Sequence, residues 1–377
     1  MNNIRLAFLG GRGLHSNYGG VENAIREISD VISQKENTQV TVYGTKTEGF
    51  DNVNQETKKN IQTVNCPSCI YKKLGQHGII FWCVLHLIFV SRPNVVYVFA
   101  SGPCIFTPLL RLSGIKVVSS LRAIDSARDK WGVVSRNILR MGEYCAWRFA
   151  NVFTANSKEM IEIYSKNRAD ALFVPNGAKS INVDAANTLS KYNLIPNEYM
   201  LFAARIDPVK RLHLLINAHN NLSQNHRMKL VIAGGNSKDP QYLNNLMSDA
   251  NDNILFVGHL GQQELEALLK NCRAFISPSI LEGMSNSILS AMINGKAVLA
   301  ADIKANTDII DDDRAVFPAD NLDLLQSGLM KISNDKDFCL NLGVNLKEHA
   351  QSNFSWESTA NKFYDAAMAC INPKDAS

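Results

Sequence analysis

The chain has 377 residues, 46% of them hydrophobic and 20% charged, with 39 Lys and Arg against 35 Asp and Glu for a formal net charge of +4. That length exceeds what one hydrophobic core ordinarily serves, so two domains are expected. The composition is that of an ordinary globular protein, and so mild a charge, carried by scattered Lys and Arg, argues against nucleic acid as a partner.

Residues 4–10, IRLAFLG, read as a first strand with no leader peptide ahead of it. The loop that follows, GGRGLHSNYGG, enters an amphipathic helix with Ile25, Ile28 and Ile32 on one side. It is too long for a dinucleotide fingerprint. Its glycines serve either a tight turn or, at Gly19 and Gly20, the approach of bare N–H groups to a phosphate. Strands at 39–43, 61–64, 95–100 and 116–121 alternate with helical or loop segments, the pattern of a doubly wound α/β sheet. Residues 79–90, IIFWCVLHLIFV, are too few to span a bilayer, which takes about 20. They read as a buried helix, with a membrane-facing helix near Lys72, Lys73 and Arg92 as the alternative.

The segment RAIDSARDKWG, residues 122–132, is unusually polar for a chain leaving a strand; Arg122, Asp125, Arg128 and Lys130 either line a cleft or are solvated. A helix over 138–149 and strands at 151–155 and 171–176 lead to Pro175, Asn176 and Gly177, where a domain boundary is expected. Residues 178–197 read as linker and a short helix.

The alternation then restarts, with strands at 199–203, 228–234 and 253–257 and a helix placing Leu265, Leu268, Leu269 and Cys272 on one face. Residues 275–303 pack a strand, a polar turn, a helix and a second strand into one βαβ unit. Ser285 or Asn286 caps the helix, and Ile288, Leu289, Met292 and Ile293 share its core face. Asn286, Ser287, Ser290 and Asn294 share the other face, and Gly295 ends the helix before a strand at 297–301. A polar turn entering a helix N-terminus at the carboxyl end of a parallel strand is where such sheets bind anions. Of eight cysteines, Cys66 and Cys69 form the one C-x-x-C, with no second ligand pair for zinc, so reduced thiols and no metal site are expected.

The motifs Gly19-Gly20, Pro175-Asn176-Gly177, Arg205-x4-Lys210, Gly258-x-Leu260, and Glu282-Gly283 followed by Ala291-Met292-x2-Gly295 resemble glycosyltransferase family 4 in order and spacing, over nearly the whole chain. The segments RGLHSNYGGVEN and RAIDSARDKWG further resemble a bacterial rhamnosyltransferase-like branch. The resemblance implies a GT-B fold: an acceptor-side Rossmann-like domain (1–177) facing a nucleotide-sugar donor domain (178–355), and a C-terminal helix and tail (356–377) crossing back to the first.

It also implies retaining transfer of a sugar from a nucleotide-diphosphate sugar to a glycan or lipid-linked acceptor, in bacterial surface polysaccharide synthesis. Arg205, Lys210 and Glu282 would be the catalytic residues. Two cations five residues apart suit a diphosphate leaving group, and Glu282 matches the first acid of the family's glutamate pair, which holds donor-sugar hydroxyls. Donor contacts fall to Gly19, Gly20, Gly258, Gly283, Met284, Ser285 and Ser290, and acceptor-side contacts to Asp125 and Arg128. Ser290 departs from the pattern, standing where members usually carry a second glutamate that binds ribose. No cofactor beyond the co-substrate donor is implied, and no metal: Asp311 to Asp313 lie in a late turn rather than a D-x-D donor site. The enzyme is expected in the cytoplasm, with peripheral contact at the inner face of the membrane. The competing readings are a nucleotide-sugar-binding member with lost catalysis and, less well supported, a tandem NAD oxidoreductase, for which neither half has a G-x-G-x-x-G with a well-placed acid.

Overall fold

A computed structural model describes residues 3–14, 19–45, 60–127, 132–235 and 239–372, with backbone alone at 71–74, 76 and 77. Arg128 and Lys130 lie outside the described residues, and so does much of the loop before Gly19. The chain divides into two compact units, residues 1–177 with 356–377, and residues 178–355.

The first unit holds β1 (Ile4–Leu9), β2 (Thr38–Thr45), β3 (Ile61–Cys66), β4 (Val95–Phe99), β5 (Lys116–Leu121), β6 (Val152–Ala155) and β7 (Leu172–Phe173). They form one parallel sheet in the order β3-β2-β1-β4-β5-β6-β7. The central strand β4, VVYVF, is buried along its whole length, as a strand covered on both faces must be. The strand expected over 171–176 shrinks to the two residues of β7, because Pro175 has no N–H to give the ladder. Gly10 ends β1 at φ +131°, where a Cβ would stand 2.2 Å from the Phe99 carbonyl oxygen; only glycine lets the two strand ends approach.

Helices cover both faces. On one lie α1 (Gly20–Ser33) and the C-terminal helix, while α2 (Ser68–His86), α3 (Thr107–Leu112), α4 (Val133–Phe149) and α5 (Lys158–Ser165) cover the other. The segment expected as a buried helix over 79–90 is the second half of α2 followed by a wider π turn at Leu87–Ser91. Ile79, Val84 and Leu87 face the core, and Phe89 and Val90 are exposed.

The second unit repeats the scheme with β8 (Tyr199–Ala203), β9 (Lys229–Ala233), β10 (Ile254–Gly258), β11 (Ala274–Ser277), β12 (Ala297–Ala301) and β13 (Val316–Phe317), parallel in the order β10-β9-β8-β11-β12-β13. Strand β13 has two residues, too short for its sequence to signal it. The main helices here are α6 (Leu212–Asn220), α7 (Pro240–Asp249), α8 (Gln262–Asn271), α9 (Asn286–Ile293), α10 (Leu322–Asn334) and α11 (Lys336–Asn353). The last helix, α12 (Trp356–Ile371), belongs to the first unit. There Trp356, Ala360, Phe363 and Ala367 pack against Ala24, Ile25, Ile28 and Ile32 of α1. The Tyr97 hydroxyl donates to the Phe363 carbonyl at 3.0 Å, and Thr359 Oγ1 donates to that of Pro175 at 3.1 Å. Burying side chains of this size contributes roughly 1.5–3 kcal/mol each.

All eight cysteines are free, and only Cys69 is exposed. Burial pushes the Cys83 and Cys272 thiols up to about 12, so they stay protonated and unreactive.

His219 on α6 is fully buried. Its Nε2–H donates to the Met228 carbonyl at 2.7 Å, and Nδ1 accepts from Asn251 Nδ2 at 3.3 Å. Burial above all, with the nearby Arg227 charge, holds its pKa below the ordinary 6.5 despite the Met228 hydrogen bond. The unfolded chain takes a proton near that value and the folded chain does not, so stability is full above pH 6.5 and is lost as pH falls below it. Unfolding followed by circular dichroism from about pH 7 to about pH 5 should show this loss, and His219→Gln should flatten it.

Candidate active site

Strand order sets where this site forms. Strands β8 and β11 are neighbours, yet β8 leads away toward β9 and β11 toward β12. Right-handed crossovers therefore send the following helices to opposite faces and leave a crevice at the two carboxyl ends. A pocket of 240 Å³ lies there. Phe202 to Arg205 and Lys210 line it from the β8 side, Phe275 to Ser277 from β11, and Glu282 and Met284 to Ser287 from the loop and helix beyond.

The two loops are joined at two points. The Ile280 N–H donates to the Val209 carbonyl at 3.0 Å, and Lys210 Nζ is hydrogen-bonded and ion-paired to Glu282 Oε1. The Lys210 and Glu282 side chains are only 13% and 16% exposed, so the pair is shielded from water. Asp207 shapes the first loop by accepting from the Val209 N–H at 3.3 Å, which starts a 3₁₀ turn over Pro208–Lys210. Arg205 is exposed and has no hydrogen-bond partner among the described residues.

Ser285 is the cap of α9, its Oγ accepting from the Ile288 N–H at 3.3 Å. The positive end of the α9 dipole, at Ser285 to Ser287, lies in the lining of the pocket. Gly283 precedes Met284 in the same loop. Ser290 sits one turn further on, half-buried and outside the pocket lining; its carbonyl accepts from Asn294 Nδ2 at 2.9 Å. A Schellman motif closes the helix: the Gly295 N–H bonds the Met292 carbonyl and the Lys296 N–H that of Ala291, with Gly295 at φ +68°. Gly258 ends β10 at φ +72° and does not line the pocket.

In the first unit, Gly19 is the extended cap of α1 and Gly20 its first residue. Glu22 of the first turn is buried, and a Cβ on Gly19 would lie 3.3 Å from its Oε2, so a carboxylate already hangs over that helix end. Asp125 stands in a short turn after β5, where its Oδ2 accepts from Ser101 Oγ at 3.3 Å. Ser101 Oγ is also 3.3 Å from Oε1 of buried Glu143, whose Oε2 accepts from Ser126 Oγ at 2.8 Å. Neither Ser101 nor Glu143 was expected from sequence. The available signal was an acid at the core-facing positions of α4, beside Gly142 and Ala146. Arg122 donates from Nη1 to Asn176 Oδ1 at 2.6 Å and lies over the Phe99 and Phe363 rings. Its Nε and Nη2 have no partner among the described residues, and burial pulls its pKa down to about 9. Among the described residues, no three His, Cys, Asp or Glu side chains gather as a metal site.

Residues 189–350 match the family described as glycosyl transferases group 1. The serotype-specific mannosyltransferase WbdA of Escherichia coli is 28% identical over 179 residues, which are 45% of this chain and 21% of that protein. O-antigen chain mannosyltransferase B of Escherichia coli is 24% identical over 182 residues, 47% of this chain and 48% of its own length. The chain thus covers about a fifth of the first relative and about half of the second. Among solved structures, sucrose-phosphate synthase of Thermosynechococcus elongatus superposes with a TM-score of 0.80 at 15% identity, over 98% of this chain and all of that one. Anabaena HepE in complex with UDP and glucose does so at 0.78 and 16%, over 97% of this chain and all of that one. The chain has the GT-B fold of two Rossmann-like domains, and its residues 189–350 are similar to the group 1 glycosyl transferases.

Proposed function

We propose that this protein is a retaining glycosyltransferase that moves a sugar from a nucleotide-diphosphate sugar to a glycan or lipid-linked acceptor in bacterial surface polysaccharide synthesis. The observation that carries the reading is the β8–β11 pocket, where Arg205, Lys210, Glu282 and the N-terminal end of α9 converge within the segment that matches the group 1 glycosyl transferases. In the reaction the bond from the anomeric carbon to the diphosphate oxygen breaks, the acceptor hydroxyl bonds to that carbon and loses its proton, and the nucleoside diphosphate departs. Negative charge grows on the diphosphate as that bond lengthens. Arg205 and Lys210 neutralise it, the α9 N–H groups receive a phosphate oxygen, and Glu282 holds sugar hydroxyls. Ser290 takes the ribose directly or through water, and Asp125 and Arg128 serve the acceptor. The family resemblance supports retention, the mannosyltransferase relatives support a polysaccharide product, and the RGLHSNYGGVEN and RAIDSARDKWG segments support the rhamnosyltransferase-like branch. A thermal-shift panel of UDP, GDP and dTDP sugars, followed by transfer assays with the stabilising donor, tests the reading.

The two cations are expected to behave differently when removed. Arg205→Ala should cut transfer by on the order of 10²-fold and change stability by under about 0.5 kcal/mol, because Arg205 is exposed and unpaired. Lys210→Ala should cut transfer comparably and also cost about 1–3 kcal/mol, because it strands Glu282 in a shielded site. Near-parental rates in both variants would remove the pair from the chemistry.

With two fixed cations at the diphosphate, EDTA should leave most of the activity. Loss in EDTA that magnesium or manganese restores would contradict this.

Ser290→Glu tests the ribose assignment. The new carboxylate stands on a face already polar with Asn286 and Asn294, and it should tighten binding of the matched nucleoside diphosphate while Ser290→Ala weakens it by roughly 0.5–1.5 kcal/mol. Calorimetry reads both, and unchanged affinity in the two variants would exclude Ser290 from the site.

A further inference from the structure

Helices α2, α3 and α4 cover the same face of the first sheet: Ile79, Val84, Leu87, Leu110 and Ala146 share one core cluster beneath them. Their outer surfaces are therefore neighbours. The Phe81 and Phe106 rings, 6.1 Å apart, join α2 to the start of α3, and Arg111 Nη1, donating to the Phe149 carbonyl at 3.1 Å, joins α3 to the end of α4.

The outward side of such a layer should be polar, and this one is not. Phe89 and Val90 in the π turn are 69% and 68% exposed, Leu112 of α3 is 86%, and Val133, Val134 and Met141 of α4 are 75%, 73% and 52%. Between them stand the exposed cations Arg92, Arg111, Arg140 and Arg148. Across α2, the π turn, α3 and α4 the one acid is Glu143, which is buried and faces Ser101 and Ser126. Residues 68–149 hold eleven Lys and Arg against three Asp and Glu, a formal +8 in a chain whose total is +4.

We propose that this face of the first unit is a docking surface for an anionic lipid bilayer, with the aliphatic and Phe tips entering the headgroup boundary and the arginines meeting lipid phosphates. No described helix is long and apolar enough to cross a membrane, so the contact lies in the interfacial plane. Charge selects the occupant. Two copies of the face would set Arg92, Arg111, Arg140 and Arg148 against the same four cations, and a nucleic acid gains nothing from projecting Val and Leu, whereas an anionic bilayer satisfies both features at once. The proposal extends the reading above, in which the acceptor is lipid-linked, but it concerns binding and requires no turnover.

The test is co-flotation of the full chain with vesicles of phosphatidylcholine alone or with about 30% phosphatidylglycerol, where the anionic vesicles should bind at least about tenfold more protein. Val133→Ser with Val134→Ser should lower that binding by roughly tenfold, and Arg140→Glu with Arg148→Glu should abolish it, with thermal midpoints unchanged because all four side chains are exposed. Equal or absent binding to both vesicle types, or binding that neither variant alters, overturns the proposal. Concentration-dependent self-association in light scattering that these substitutions relieve, without vesicle binding, overturns it in favour of a second copy. Donor thermal shifts of the same variants, taken without vesicles, read the β8–β11 pocket separately: a normal shift with no lipid binding defeats only the membrane proposal, and lipid binding with no shift for any donor defeats only the transferase reading.

Discussion

The second unit depends on how two neighbouring strands part company. Because β8 and β11 hydrogen-bond to each other while their crossovers run in opposite directions, no helix can cover the point where both end. The loops leaving that point are not left loose. One backbone hydrogen bond, Ile280 to Val209, and one shielded ion pair, Lys210 to Glu282, hold the β8 loop against the β11 loop. A shielded pair of this kind contributes little net stability, since desolvating both charges offsets much of their attraction. What it supplies is position, fixing a cation and a carboxylate at the mouth of the crevice before any ligand arrives.

Much of that unit was legible in advance. The run from 275 to 303 changes period from strand to helix and back, with Ser285 and Gly295 as punctuation, and the structure places a strand, capped helix and strand there. Legibility stopped at pairing. Lys210 and Glu282 are 72 positions apart, and nothing in their local sequence says that one will neutralise the other. Ser290 shows the same limit from the other side: its spacing from Glu282 aligns it with the ribose-binding glutamate of the resembling family, but that spacing does not say that it stands beyond the lining of the pocket.

In the first unit the features that the sequence left open share a physical cause. Residues 79–90 look uniformly apolar, so periodicity could not say which side faces the core, and packing buries Ile79, Val84 and Leu87 while leaving Phe89 and Val90 outside. Glu143 was not singled out by the sequence at all. It is buried because Gly142 lets α4 approach the chain at Ser101, where a Cβ would lie 1.8 Å from the Ser101 carbonyl oxygen, and that approach carries the carboxylate to two serine hydroxyls. A contact so close depends on a partner 41 positions away.

Net charge was uninformative for a related reason. A chain total of +4 describes a protein with no electrostatic preference, and from it alone neither an anionic surface nor a polyanion follows as a partner. Electrostatic potential, however, is set by where charges stand within a screening length of about 8–10 Å, and distant charges of opposite sign do not cancel it. Seven of the eleven cations in 68–149 stand on α2, α3 and α4 or just after the π turn, which topology lays side by side on one sheet face with their one acid turned inward. The same arrangement leaves their aliphatic tips without a partner in the fold. Charge and apolarity therefore coincide on one surface because of strand order, which composition does not encode.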